Sequence, residues 1–235
     1  MAAQPVALAI QNRIARLTLE RPAAANAFTT QMMSECLAAV TRAASEADIL
    51  VISGAGEDFT VGRDRSEPRS GTPFEAFKLI TDLNTALGAF PGIAVSLVRG
   101  RAFGFGVGIV MRSDIALACD DARFALDEVK LGIPPMFIMA EILSHLPPKS
   151  ALDIVLSSRE FGAGEAKQMG LVSRVLPRGQ MQAHAEELVE ELASRDAAVL
   201  RSCKRYLASA RELPPAARGA YALVEQTRFA ERGKH

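Results

Sequence analysis

The apolar run Ile93–Val98 passes almost directly into the turn Gly104-Phe105-Gly106-Val107-Gly108, and this junction constrains the fold more than any other segment. A buried strand that ends in a glycine turn and restarts as a helix leaves the leading N–H groups of that helix without internal partners. The helix dipole favours negative charge at the same end. A second junction lies upstream, where the run 49–53 precedes Asp58-Phe59-Thr60-Val61-Gly62-Arg63-Asp64. Two such junctions can each aim one backbone N–H at a common oxygen, the arrangement that stabilises oxyanions in acyl chemistry. A carboxylate follows within the same unit, in Phe124-Ala125-Leu126-Asp127-Glu128. A held oxygen beside a base suits an enzyme that enolises a thioester.

Composition narrows the class. The 235 residues are 49% apolar and 23% charged, as in an ordinary soluble globular chain, and the length suits one domain with a small tail. The 27 basic and 27 acidic residues cancel and no basic block stands out, so no nucleic-acid partner is expected. No apolar run approaches the roughly 18 residues of a membrane span. The opening MAAQPVALAIQNR lacks a basic segment followed by a long apolar core, so no secretory leader is expected either. Cys36, Cys119 and Cys203 are odd in number and far apart, which fits reduced thiols and a cytoplasmic location. His145, His184 and His235 have no metal-ligand spacing, and no metal is expected.

Strand and helix patterns alternate, which argues for α/β with crossover connections. Residues 6–10 and Ile14–Leu19 flank a polar turn and read as a hairpin. Thr29-Thr30 starts a helix in which Met32, Met33, Cys36, Leu37 and Val40 recur at helical spacing. The runs 49–53, 93–98 and 115–118 suit buried strands. Residues 73–90 read as a helix with Phe77, Ile80, Leu83, Asn84 and Leu87 on one face. After Ile133 the pattern is mostly helical as far as Phe229, with Pro147-Pro148 and Pro214-Pro215 as breaks and Gly162-Ala163 as a turn.

Six segments, in order, resemble the crotonase superfamily, also called the enoyl-CoA hydratase/isomerase family. Arg21-Pro22-Ala23-Ala24-Ala25-Asn26-Ala27 resembles R-P-x-x-x-N-A. Ile52-Ser53-Gly54-Ala55-Gly56 with Phe59-Thr60-Val61-Gly62-Arg63-Asp64 resembles G-x-G-x-x-F-S-A-G-x-D. Gly100-Arg101-Ala102-Phe103-Gly104-Phe105-Gly106 resembles G-x-A-x-G-G-G, and Ser113-Asp114 resembles C-D. Phe124 to Glu128, then Leu131-Gly132-Ile133-Pro134, resembles F-x-x-P-E followed by L-G-x-x-P, and Gly164 to Val172 resembles A-x-E-A-x-x-x-G-L-V. The resemblance implies a β-β-α spiral core over residues 1–175. It implies a helical C-terminal region over 176–235 that belongs to the same fold and packs trimers or hexamers.

It also implies the site. The backbone N–H groups of Arg63 and Phe105 would hold the oxyanion, and Glu128 would be the general base. Arg21, Ala23, Ala25, Val61, Gly62, Asp64 and Gly104 would contact the substrate, an acyl-CoA thioester. Coenzyme A then arrives as part of the substrate and no separate cofactor is expected. Asp114 reads as fold support. Three departures shape the expected reaction. Gly108 stands where hydratases of the family carry a second glutamate, so one carboxylate remains, enough to shuttle a proton between C2 and C4 of an enoyl thioester. Double-bond isomerisation is therefore expected ahead of hydration. Phe105 replaces a glycine and is expected to crowd the acyl pocket, and Pro135-Met136-Phe137 replaces a glycine-rich stretch and is expected to reshape the pocket wall. The alternatives are a hydratase or other lyase that recruits Asp127, Asp64 or Asp120 as its second acid, and a catalytically weak acyl-CoA-binding subunit.

Overall fold

A computed structural model of the chain describes residues 4–68 and 71–232. Strands β1 (Val6–Gln11) and β2 (Ile14–Leu19) form an antiparallel hairpin. Helix α1 (Thr30–Glu46) then leads into β3 (Ile49–Gly54), which runs parallel to β2. Helix α2 (Pro73–Gly88) precedes β4 (Ile93–Val98), β5 (Arg101–Phe103) and helix α3 (Phe105–Arg112). Next come β6 (Ile115–Cys119), β7 (Arg123–Ala125), α4 (Met136–Ile142) and α5 (Pro148–Ser157). The chain continues through β8 (Phe161–Gly162), α6 (Ala163–Gln168) and β9 (Arg174–Leu176). It finishes with α7 (Met181–Ala193), α8 (Ala197–Arg211) and α9 (Pro215–Arg232).

The strands form two sheets. The larger has the order β1-β2-β3-β4-β6-β9, and the smaller is β5-β7-β8. The central strands β3, β4 and β6 of the large sheet are buried on both faces, so they read as nearly continuous apolar runs. Side chains alternate between faces along each strand. Ile49, Val51, Ile93, Val95, Leu97 and Leu117 pack with Met181, Leu188 and Val189 of α7 on one side. Leu50, Ile52, Ala94, Val98 and Ala116 join the main core beneath α1, α2 and α3 on the other. The Thr29 hydroxyl caps α1 by accepting from the Met32 N–H at 3.1 Å. A Thr72–Glu75 capping box and Pro73 start α2.

The small sheet explains how distant segments meet. Thr60 bridges Ala102 in parallel, Ala102 pairs with Phe124 in parallel, and Phe124 pairs with Phe161 antiparallel. Successive turns of the spiral therefore put Thr60, Ala102 and Phe124 side by side, each step about 4.8 Å. Arg63 and Phe105 each lie three residues beyond their ladder position, and Glu128 lies four beyond, by subtraction of 60, 102 and 124. All three follow parallel segments and so emerge at the same end of the small sheet.

Short strands escape the sequence pattern. The expected turn at Gly162-Ala163 is instead the end of β8 and the start of α6, with Phe161 stacked on Phe124 at 5.6 Å between ring centroids. Helix α2 stops at Gly88, two residues before the expected Phe90. Phe77, expected on its buried face, is 51% exposed, its ring 5.6 Å from that of Phe137 on α4. Asp114 does brace the fold: its carboxylate accepts from the Ala94 N–H at 2.8 Å and from Lys204 at 2.7 Å. Among the described residues no helix is long and apolar enough to cross a membrane.

Candidate active site

Two glycines with positive φ build the first half of the site. Gly62 has φ +81°, and a Cβ there would lie 2.9 Å from the Phe103 carbonyl oxygen and 3.3 Å from the Phe105 nitrogen. Gly104 has φ +49°, and its Cβ would lie 2.7 Å from Glu128 Oε1. Both backbones adopt a conformation that side chains resist. The two turns and the carboxylate therefore touch through positions that only glycine fits.

Local hydrogen bonds orient the two amides. The Phe28 N–H donates to the Gly62 carbonyl at 2.7 Å, and the Asp64 N–H donates to the Phe28 carbonyl at 2.9 Å. In a parallel bridge that pattern turns the intervening Arg63 N–H to the opposite side. The Gly104 N–H donates to the Ala125 carbonyl at 2.9 Å, which fixes the second turn against β7. Phe105 is the first residue of α3, so its N–H has no intrahelical acceptor. Among the described residues, neither the Arg63 nor the Phe105 N–H has a hydrogen-bond partner.

Glu128 opens a short 3₁₀ turn, Glu128–Leu131. Its Oε2 is buried and has no hydrogen-bond partner among the described residues. Burial holds its proton affinity above the ordinary carboxylate range, its own N–H works against that, the Asp127 charge adds to it, and Arg65 opposes it. A half-buried carboxylate with a raised pKa beside two unpaired N–H groups can exchange a proton with a carbon acid held there.

The remaining expected residues fall into two groups. Val61 donates its N–H to the Ala25 carbonyl at 3.1 Å, so the segment carrying Ala23 and Ala25 lies alongside the donor turn. Arg21 and Asp64 are engaged with each other. Both Arg21 Nη groups reach Asp64 Oδ2 at 3.0 Å, Nη1 also donates to the Ala27 carbonyl, and Ser66 donates to Asp64 Oδ1 from its N–H and hydroxyl. Their charges brace the donor loop instead of standing free for a ligand. The Arg63 side chain also leaves the site, pairing with Glu67 at 3.0 Å and with Met33 Sδ at 3.1 Å.

Phe105 corrects an expectation. The residue is 6% exposed and its ring meets that of Phe28 edge-on at 5.0 Å, so it fills the core and does not crowd an open cleft. At Gly108 a Cβ would meet Ile138 Cδ1 at 3.0 Å and Arg112 Nη1 at 3.4 Å, so the Ile138 side chain and the Arg112 guanidinium occupy that place. Arg112 donates to the Gly108 carbonyl at 3.1 Å and pairs with Glu141 at 3.1 Å. The stretch 135–137 opens α4, whose Ile138 supplies that packing. Of the three acids considered as partners for Glu128, Asp64 is engaged as above, and Asp120 is exposed beyond β6, its N–H on the Leu176 carbonyl. Asp127 pairs with Arg65 at 2.6 Å.

The sequence names Asn26 only as part of a segment, yet it is the hub of this half of the site. Fully buried, it accepts from the Arg21 N–H at 2.8 Å and donates to the Ala55 and Asp58 carbonyls at 2.9 and 2.8 Å. Its own carbonyl accepts from Thr60 Oγ1 at 2.7 Å. A polar residue between alanines on an otherwise apolar approach is the available signal.

Residues 9–231 match the model of the enoyl-CoA hydratase/isomerase family. The chain belongs to that family. Within the family, an enoyl-CoA hydratase of Mycobacterium tuberculosis is 32% identical over 203 residues, which are 80% of this chain and 76% of the relative. The 2,3-dehydroadipyl-CoA hydratase of Escherichia coli is 31% identical over 213 residues, 86% of this chain and 81% of that one. Among solved family structures, a Thermobifida fusca protein in complex with CoA superposes with a TM-score of 0.89 at 28% identity, covering 100% of this chain and 96% of that one. The family fold is thus shown, and both curated relatives carry hydratase names.

Proposed function

We propose that this chain binds an acyl-CoA thioester and moves a proton on its acyl group, most simply shifting the double bond of an enoyl thioester. The observation that carries the reading is the meeting of Glu128 with the turns Gly62-Arg63 and Gly104-Phe105, whose Arg63 and Phe105 N–H groups have no partner among the described residues. The thioester oxygen sits between the Arg63 and Phe105 N–H groups, which strengthen their hold as it becomes an enolate oxygen. Glu128 takes the proton from C2 of a 3-enoyl thioester and returns it to C4. The electrons pass through the dienolate to form the conjugated 2-enoyl product. The same carboxylate serves both transfers, so no second acid is required. Val61 and the backbone of Ala23 and Ala25 line the approach for CoA, while the Arg21–Asp64 pair keeps that wall in place.

The packing of Ile138 over Gly108 supports isomerisation over hydration, since no carboxylate stands there to activate water. A hydratase reading is favoured by the names of the two relatives and by Asp127, the other carboxylate beside Glu128. The two readings separate kinetically. Isomerisation of 3-enoyl-CoA, or deuterium uptake at the α-carbon, is expected to run faster than hydration of 2-enoyl-CoA under the same conditions. Thioester absorbance and mass spectrometry follow the two. A faster hydration rate would transfer the assignment to hydratase, with another acid as the second group.

The assembly proposal rests on the C-terminal helices. No residue of α9 whose side chain is described is buried, and Leu223 is 70% exposed, with Leu207 of α8 at 68%. On α5, Leu152 and Leu156 are exposed as well. Such apolar surface suits a closed assembly of trimers, single or paired. Light scattering at micromolar concentration is expected to give the mass of three or six chains, and a monomer there would contradict it.

A further inference from the structure

Arg65 and Asp127 belong to different turns of the spiral, 62 residues apart in sequence, yet Arg65 Nη2 lies 2.6 Å from Asp127 Oδ2. Arg65 follows Arg63 on the donor loop, and Asp127 immediately precedes Glu128. The pair thus joins the loop that presents one free amide to the turn that presents the carboxylate.

Within residues 63–67 the other charged side chains point elsewhere. Asp64 binds Arg21 and Ser66, Arg63 reaches Glu67, and Glu67 accepts from Thr30. Among the described residues, Arg65 is the charged group of residues 63–67 that crosses to the Glu128 turn. The Glu128 turn is short. It is a single stretch of 3₁₀ helix, a geometry with poor hydrogen bonds, and the Asp127 side chain does not cap it. The carboxylate of Asp127 is directed outward to Arg65 instead.

We propose that the Arg65–Asp127 ion pair is a clasp that holds the Glu128 turn against the donor loop, and that both are positioning residues for the proton transfer. This rests on the reading of Glu128 as the base. The clasp also acts through charge. Among the described residues, two charged side chains act on Glu128: Asp127 from its own turn, which disfavours the ionised form, and Arg65 from the donor loop, which favours it. The oxyanion turn presents the Gly104 backbone at that point, without charge. While the pair is intact the two influences oppose each other.

The test uses Asp127→Asn, Arg65→Gln and the double variant in the full-length protein. The Glu128 carboxyl is titrated directly by ¹³C NMR, and α-proton exchange is measured with one acyl-CoA across pH. Asp127→Asn leaves Arg65 unopposed, so the Glu128 titration and the acidic limb of the rate profile move to lower pH. Arg65→Gln leaves Asp127 unopposed, so both move to higher pH. The double variant returns the titration toward wild type, while its kcat stays low because the tether is gone. Each single variant is expected to lower kcat on the order of tenfold with little change in KM, a part of the roughly 10²-fold that an ångström of misplacement costs. Shifts in the same direction, no shift, or wild-type kcat in the double variant would overturn the clasp. The NMR titration reads Glu128 whether or not it is the base. Retained exchange in Glu128→Gln would therefore remove the base assignment without deciding the electrostatic test.

Discussion

Replacing Glu128 by Gln is expected to lower α-proton exchange by about 10²–10⁴-fold or more, the usual contribution of a general base, while acyl-CoA affinity survives. Glutamine keeps the shape that fits against Gly104, where a Cβ would already lie 2.7 Å from Oε1. What is lost is the acceptor of the proton. Thermal stability should change in the opposite direction. The folded state raises the Glu128 pKa, so it binds that proton more tightly than the unfolded chain. The carboxylate therefore costs nothing well below its unfolded value, about 4.3, and its full penalty is present above the folded value. Glu128→Gln removes an ionised oxygen that has no partner, so its Tm should exceed wild type at neutral pH and approach it in acid. Lower activity with a higher Tm distinguishes a missing base from a damaged fold. Full exchange activity in this variant would show the base to be another group.

Valine at Gly62 or Gly104 is expected to cost about 10²-fold in turnover, the loss typical of one oxyanion donor. The reasons differ by site. At φ +81°, Gly62→Val would drive the new Cβ toward the Phe103 carbonyl and the Phe105 nitrogen, so the two donors separate. At φ +49°, the side chain introduced by Gly104→Val would meet Glu128 itself and displace the carboxylate. The Gly62 variant should therefore keep the Glu128 titration, whereas the Gly104 variant should alter it. Steady-state rates with one thioester, beside the carboxyl titration, check both. Unchanged turnover in the two variants would remove the paired-amide account.

The long elements are legible because helical burial is periodic and the central strands are buried on both faces. Alternation in β3 and β4 places Ile49 and Val51 on one face and Leu50 and Ile52 on the other, and the sequence shows this as continuous apolar runs. The strands β5, β7 and β8 have three, three and two residues, too few for a period of two to declare itself. Yet these strands are what gather the site, through the Thr60, Ala102 and Phe124 ladder. Without family resemblance, the two glycine turns and Glu128 would remain separate features. Side-chain direction is less legible still. Phe105 reads as an obstruction because its substitution adds volume at the donor, but its ring turns into the core beside Phe28. The Arg21–Asp64 and Arg65–Asp127 pairs span 43 and 62 residues, and no local pattern announces such partners. Arg21 reads as a ligand contact for that reason, since an arginine beside a candidate site shows its charge in the sequence but not its partner.

The proposed chemistry depends on one oxygen lying between two amides, with Glu128 at the adjacent carbon. A crystal structure of Glu128→Gln with a bound 3-enoyl-CoA tests it most directly. The thioester oxygen is expected about 2.7–3.1 Å from both the Arg63 and Phe105 nitrogens, with the residue-128 side chain against C2 and C4. A thioester oxygen held by any other pair of donors, or an acyl chain that places C2 out of reach of residue 128, would contradict it.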